Sequence, residues 1–189
     1  RVASQSLDFT VADGAVLEWL PQESIVFDQA HAHMSTRVQL AGSAVYMGWD
    51  ILCLGRTASG ERFAQGQVRL ATELCRDGRR LWLERGRIDG DDPLLDSPVG
   101  LAGRRVSATL LAAAPPWDGP AGAALLAECR SVSPEPGDLA GVTRLPGVLI
   151  ARWLGDSAEA ARGYCAALWT KLRPALKQAA ATPPRIWAT

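Results

Sequence analysis

This chain has few of the features that mark a catalytic or metal centre. Its 189 residues include only two histidines, His31 and His33. The sequence has no G-x-S-x-G elbow, no phosphate-binding glycine loop and no H-E-x-x-H motif. Any general base built on histidine would have to be one of these two residues. We therefore expect no catalytic residues in this chain and do not expect it to be an enzyme.

An excess of charge and a long apolar run are also missing. Twenty basic residues balance twenty acidic ones, which argues against a nucleic-acid partner, since such a partner selects a basic excess. No apolar run reaches the ~18 residues that a membrane span needs, and no signal peptide is visible. We expect a cytoplasmic protein with neither a nucleic-acid nor a membrane partner.

The cysteines do not form a recognisable motif. Cys53, Cys75, Cys129 and Cys165 lie far apart and none belongs to a C-x-x-C pair. This spacing resembles neither a zinc site nor a secreted disulfide framework, so buried free thiols in a reducing compartment are expected. A Cys–His dyad stays possible, although nothing in the sequence links a cysteine to either histidine.

The hydrophobic pattern predicts a mainly β protein, a layered or helix-like β structure of many short strands. Residues 1–113 alternate with a period of mostly two and form the β-rich part. Residues 114–189 read as an α/β cap with two helices, one over 121–132 and a longer one capped by Asp156 with Glu159. The two parts form one continuous domain. The start lacks a methionine and enters a strand at once, so we expect an N-terminal part of a longer protein to be missing.

Three further local predictions concern the cap and one hairpin. Asp77-Gly78 predicts a type I′ hairpin turn, which pairs Arg76 with Arg79, Leu74 with Leu81 and Thr72 with Leu83. That register puts Glu84 on the same face as Glu73. Pro174 should kink or restart the long helix, and the tail 182–189 should be extended.

Asp50 and Glu84 are carboxylates in unusual positions. Asp50 interrupts the apolar run "AVYMGWDILCLG", where an unpaired charge costs several kcal/mol. Its structural interpretation is an ion pair with Arg56. Glu84 follows Leu-Trp-Leu, and its structural interpretation is a solvated partner for Arg69 or Arg85. The alternative for both is a polar passage for a hard or borderline cation.

The two histidines lie in "DQAHAHMST" (28–36), which alternates as a strand does. Ala30, Ala32 and Met34 then point inward while His31 and His33 point outward. The outward pair is ~7 Å apart, within reach of a metal ion. A solvated polar face is the other interpretation, and the alternation favours it.

Five segments resemble the UreD (UreH) family of urease accessory proteins. In the family's order they are "LEWLPQESIVF", "GWDILCLGRTASGERFAQG", "LWLERGRIDGDDPLLDSPVGLAG", "GVLIARWLGDS" and "LRPAL…PPRIWAT". The resemblance implies a non-catalytic, mostly β scaffold, a chaperone of urease maturation in nitrogen metabolism. Its partners would be the UreF and UreG accessory proteins and the urease structural subunits. It would help to deliver nickel, with no permanently bound cofactor and only transient nickel.

The resemblance also implies roles for particular residues. Asp50 and Glu84 occupy family positions that are candidates for lining a nickel passage, and carboxylates with water hold Ni²⁺ loosely enough to release it. Trp169 and Trp187 are candidates for partner docking, although core packing is the simpler interpretation. At "QAHAHM" the sequence departs from the family's pattern of small residues alternating with arginine or another polar residue. The competing hypothesis is a metal-dependent hydrolase that uses His31, His33 and a carboxylate.

Substitution of both histidines distinguishes the scaffold hypothesis from the hydrolase hypothesis. Under the scaffold hypothesis, His31→Ala/His33→Ala keeps nearly full urease activation, because neither imidazole handles nickel. Urease activity in cells that carry the variant measures this. A large loss would instead give the pair an essential role. The hydrolase predicts tight, stoichiometric metal in the isolated protein and loss of its own activity in His31→Ala.

Overall fold

The ten strands of the described chain form two sheets. The structure is a computed structural model that describes residues 1–115, 117, 119–177 and 179–188. In chain order the strands are β1 (Val2–Val11), β2 (Val16–Trp19), β3 (Ser24–Val26), β4 (His31–Leu40), β5 (Val45–Leu54), β6 (Gln67–Arg76), β7 (Arg79–Asp89), β8 (Val106–Ala113), β9 (Leu139–Leu145) and β10 (Val148–Gly155). The helices are α1 (Pro120–Arg130) and α2 (Ala158–Lys177).

The chain winds between the two sheets. The smaller sheet has the order β1-β4-β6-β7, and the larger has β2-β5-β8-β10-β9 with β3 also paired to β5. Strands β1, β4 and β6 are parallel to one another, and β2 and β3 are parallel to β5. Up to β6, each return of the chain to a given sheet therefore runs in the same direction as the one before, like successive turns of a coil. This confirms the mainly β, layered and helix-like architecture with two helices.

The larger sheet contains strands from both parts that the sequence distinguished. β9 and β10 continue the sheet that β5 and β8 begin, across the expected division at residue 113. The strand β9 was not expected from the sequence. Its burial alternates poorly, since it lies at the edge of the sheet.

Three apolar clusters hold the layers together. Alternate residues of β5, β8 and β10 pack against α1 and α2; among them are Trp49, Leu110, Leu149 and Trp153, and α2 contributes Leu168 to the same cluster. The opposite faces of these strands meet the smaller sheet in two separate clusters. One contains Val38, Leu74 and Leu111, and the other contains Leu52 and Val68.

The hairpin between β6 and β7 has the expected turn. Asp77 and Gly78 have φ values of 50° and 76°, as a type I′ turn requires, and Arg76 pairs with Arg79.

Beyond that turn, the predicted pairing of the hairpin is wrong. An extra residue on β7, Leu81, makes a β-bulge, so Leu74 does not pair with it. Thr72 pairs with Glu84 instead of with Leu83. Because side chains alternate along a strand, this slip of one residue moves Glu84 to the face that looks at the larger sheet.

The start of α2 also differs from the prediction. The Oγ of Ser157 accepts a hydrogen bond from the backbone N–H of Ala160 at 3.2 Å, so Ser157 is the capping residue. Asp156, the predicted cap, instead accepts a hydrogen bond from Arg104 at 3.0 Å. The helix does not restart at Pro174, and it ends at Lys177. In the tail, Arg185–Ala188 form a 3-10 turn instead of an extended chain.

Packing of the larger sheet on α2 should dominate stability. Leu149 is fully buried between them, so Leu149→Ala should cost about 2–5 kcal/mol of unfolding free energy through lost burial and a cavity. Urea denaturation of the purified protein measures the loss. The control is Leu139→Ala at the neighbouring edge strand, where the side chain is 51% exposed. Equal losses in the two variants would contradict this account of the core.

Candidate functional site: a polar layer between the sheets

A row of polar residues separates the two apolar clusters between the sheets. In the smaller sheet, Thr36 on β4 pairs with Thr72 on β6, which pairs with Glu84 on β7. The residues two positions away on β4 and β6 are apolar on both sides, so the row interrupts the core.

The larger sheet carries a matching row. Asp50 on β5 pairs with Thr109 on β8, which pairs with Arg152 on β10. These side chains point toward the smaller sheet, because their neighbours Trp49, Ala108 and Ala151 belong to the cluster under the helices. The two rows together form a polar layer that consists of Thr36, Thr72, Glu84, Asp50, Thr109 and Arg152.

A cavity follows this polar layer. Its water-accessible volume is about 80 Å³, which is enough for a few water molecules. The lining comes from every strand of the smaller sheet and from β5 and β8; it is Gln5, Met34, Thr36, Tyr46, Gly48, Asp50, Ile51, Leu52, Leu70, Ala71, Thr72, Glu84, Ser107, Thr109 and Leu111. Gln5 on one edge strand and Glu84 on the other mark its two lateral limits.

Asp50 is the unpaired charge of the cavity. Within the described residues it forms neither an ion pair nor a side-chain hydrogen bond, and Arg56, its expected partner, pairs instead with Glu61 at 3.1 Å. The side chain is open to water on the cavity side, yet protein surrounds it on the others. Burial, and then the negative charge of Glu84, raises the pKa of Asp50 above its ordinary value of 3.8.

Glu84 is paired, but not with either expected arginine. Its Oε1 accepts a hydrogen bond from Nη2 of Arg152 on β10 at 2.7 Å, across the gap between the sheets. Its predicted partners Arg69 and Arg85 lie on the outer face of the smaller sheet, whereas the bulge has turned Glu84 inward.

Tyr46 and Gly48 shape the end of the cavity beside one apolar cluster. A Cβ at Gly48 would lie 2.2 Å from the Tyr46 hydroxyl, so only glycine leaves room for that ring. Burial, and then the charge of Asp50, raises the pKa of the Tyr46 phenol, which therefore stays neutral.

Of the two tryptophans proposed for docking, Trp169 is buried in the core and Trp187 packs against it, partly buried. Trp169 is 3% exposed, and the ring of Trp187 lies 5.3 Å from it and 5.2 Å from the ring of Trp49. The Nε1 of Trp169 donates to Glu18 on β2 at 2.7 Å. A docking role for these rings stays a prediction, and it would require the tail to move away from the core.

Glu18 fastens the edge strand β2 to α2. It also accepts hydrogen bonds from Arg173 at 2.9 Å and Lys177 at 3.3 Å. Burial would raise the pKa of Glu18, but the hydrogen bonds from Trp169 and Arg173 hold it below its ordinary value.

His31 and His33 lie outside the polar layer. Both are exposed on the outer face of β4, while Ala32 and Met34 are turned toward the core, as the alternation predicted. Among the described residues, no group of three or more His, Cys, Asp or Glu side chains could hold a metal ion. The hydrolase hypothesis thus lacks a third ligand in this part of the chain.

Burial works against a nucleophilic role for three of the four cysteines. All four are buried and free. Burial raises the pKa of Cys53 and Cys129 to about 11 and that of Cys165 to about 12, so these thiols stay protonated at neutral pH.

Of this layer, the sequence singled out only Asp50 and Glu84; Arg152 and the three threonines were missed, and Arg152 is the one of these four that carries a charge. Its signal is the same as that of Asp50, a single charge in the apolar run "GVLIARWLG". The long, flexible arginine stem often reaches the surface, which makes this signal weaker than a lone aspartate.

Fold and site together define a two-sheet, mainly β protein with a polar cavity between its sheets. The family model described as UreD urease accessory protein matches residues 1–188. The urease accessory protein UreD of Dechloromonas aromatica is 56% identical over 187 residues, which are 99% of this chain and 65% of that protein. The corresponding proteins of Azoarcus and Pseudomonas aeruginosa are 53% and 51% identical, over 95% and 99% of this chain and 61% and 65% of their own lengths.

The chain therefore belongs to the UreD urease accessory protein family, and the resemblance seen in its sequence motifs is confirmed. It spans just under two thirds of the length of these relatives. Among the helices of the described residues, none is long and apolar enough to cross a membrane.

The raised pKa of Asp50 predicts a stability cost that depends on pH. A carboxyl whose pKa is higher in the folded state destabilises the fold once it ionises, so the cost is absent below its unfolded pKa and grows as pH rises. Asp50→Asn should therefore raise Tm at pH ~7, and the gain should shrink toward pH ~4. Thermal unfolding across this pH range measures it.

Asp89→Asn is the matched control with the opposite sign. Hydrogen bonds from Arg87 and then Gln67 lower the pKa of Asp89, so its ionised form stabilises the fold above the unfolded pKa, and this contribution is lost in acid. The control should lower Tm at pH ~7. A fall in Tm for Asp50→Asn as well would show that Asp50 is stabilised by contacts absent from this account.

Proposed function

We propose that this chain is part of a non-catalytic scaffold that delivers nickel during urease maturation. In this proposal the protein works in the cytoplasm and bridges apo-urease to the UreF and UreG accessory proteins. Nickel is its transient cargo and not a resident cofactor. Membership of the UreD family supports the role in urease maturation, while the bridging and the delivery are inferences.

The observation that carries the proposal is the placement of Asp50 and Glu84 in one cavity. A carboxylate without a counter-ion costs stability, and no structural benefit of Asp50 is visible among the described residues. Such a cost is expected where function requires the charge. A divalent cation would restore the missing positive charge.

The chemistry of the lining suits transfer better than storage. The polar side chains around the cavity offer carboxylate, hydroxyl and amide oxygens, whereas its lining includes none of the four cysteines and both imidazoles are on the outer face. Ni²⁺ prefers nitrogen and sulfur ligands, so it binds oxygen ligands and water more weakly. The cavity can therefore receive a cation and release it.

The extent of the cavity also supports a passage. Its lining begins at the exposed Gln5 on β1 and ends at the partly exposed Glu84 on β7, so it crosses the whole width of the smaller sheet. Hydroxyl groups of Thr36, Thr72 and Thr109 lie between these limits. Oxygen atoms for a hydrated cation thus lie along this path together with apolar side chains such as Met34 and Leu70.

The test is urease activation with Asp50→Asn and Glu84→Gln in the full-length protein. Both variants should lower urease activity and its nickel content several-fold, because each removes a carboxylate that the cation would bind on its way. Co-purification with UreF and the urease subunits should stay unchanged. Nickel content by atomic absorption and pull-down of the complex measure the two effects.

Glu73→Gln is the matched control. Glu73 is also a strand glutamate in ion pairs, 30% exposed against 29% for Glu84, but its partners Arg37 and Arg80 lie on the outer face. It should activate urease normally. Lost co-purification in Asp50→Asn and Glu84→Gln would instead assign these residues to folding or docking, and normal activation in both would refute the passage.

A further inference from the structure

We infer that Arg152 is a built-in counter-ion that competes with the transported cation for Glu84. The inference rests on the proposed function and adds a gating residue to it. In the metal-free protein the guanidinium occupies the carboxylate, and a cation binds there only when Arg152 moves away.

The position of Arg152 fits a gate at the lateral limit of the cavity. Glu84 lies on β7, the last strand of the smaller sheet, while the larger sheet continues past this point through β10 and β9. Arg152 reaches from β10 to Glu84 with its side chain 51% exposed, against 29% for Glu84. The ion pair therefore closes the gap between the sheets at its boundary with solvent.

The contact is of a kind that can open. One hydrogen bond, from Nη2 to Oε1, joins the two side chains in the described structure, instead of the paired fork that makes arginine–carboxylate contacts strong. Partly exposed ion pairs contribute little net stability, so exchange with a divalent cation is not opposed by a large cost.

Arg152 also has a second contact to hold it when it leaves Glu84. Its guanidinium carbon lies 5.9 Å from the centre of the Trp82 ring, within the range of a cation–π interaction. The same bulge that turns Glu84 inward turns Trp82 inward beside it. The guanidinium can thus shift toward the ring and leave the carboxylate oxygens to the cation.

A permanent positive charge explains why the gate would be an arginine. Guanidinium keeps its proton at every physiological pH, so the counter-ion never loses its charge. The cavity then contains one free carboxylate, Asp50, and one that is neutralised until a cation arrives. The free carboxylate attracts the cation, and the paired one binds it only in exchange for Arg152.

Titration of the full-length protein with Ni²⁺ tests this. The quantity measured is the affinity of the Ni²⁺ binding component that is present in the original protein and absent in Glu84→Gln. Arg152→Gln should tighten this component roughly two- to fivefold, the range expected from loss of a partly exposed ion pair. The Arg152→Gln/Glu84→Gln double variant should show no gain. Arg152→Met, which keeps an apolar stem against Trp82, is the second variant and should give the same gain.

The matched control is Arg87→Gln. Arg87 pairs with Asp89 at the same distance, 2.7 Å, with side-chain exposures of 59% and 25%, but on the outer face of the smaller sheet. It removes the same charge and should leave the Glu84-dependent component unchanged. An equal gain in this control would reduce the effect to net charge and overturn the inference.

Two failures are distinguishable. If Glu84-dependent Ni²⁺ binding is present but neither Arg152 variant tightens it, the gate is wrong and the passage stands. If no Glu84-dependent binding exists in the original protein or in the Arg152 variants, the proposed passage fails and the gate fails with it.

Discussion

The polar layer between the two sheets is the constraint on which the site depends. Packed sheets ordinarily meet through continuous apolar faces. Here the apolar contact is split into two clusters, and polar and charged side chains occupy the space between them. The fold tolerates this interruption of its apolar core because the third cluster, under the two helices, stabilises the larger sheet independently. Stability and the polar site are thus assigned to opposite faces of the same strands.

Strand β5 shows this division most clearly. Met47, Trp49 and Ile51 face the helices, while Gly48 and Asp50 face the cavity. The first set is large and apolar; the second leaves space and adds charge. One strand therefore anchors the core and supplies the site, so the position of Asp50 is fixed by the packing of its neighbours.

Sequence reasoning located much of this because the signals are local. Strand alternation and turn residues are read over a few positions, and the prediction of a mainly β fold and of exposed histidines held for that reason. Asp50 was found because a charge in an apolar run is conspicuous. The partner of Glu84 was not found, because Arg152 lies on a strand that meets it only in the folded chain. The strand β9 was missed because few of its residues are buried, so its sequence shows no clear alternation of apolar and polar residues.

The bulge at Leu81 has a consequence for comparing this chain with its relatives. Two-fold alternation means that the side of β7 on which a residue emerges depends on whether an odd or an even number of residues separates it from the turn. In a relative with one residue more or fewer here, a glutamate could still align with Glu84 in sequence, but its side chain would point to solvent. A glutamate aligned with Glu84 in a relative is therefore equivalent only if the hairpin has the same length. The number of residues between the turn and the glutamate, odd or even, matters as much as the carboxylate itself.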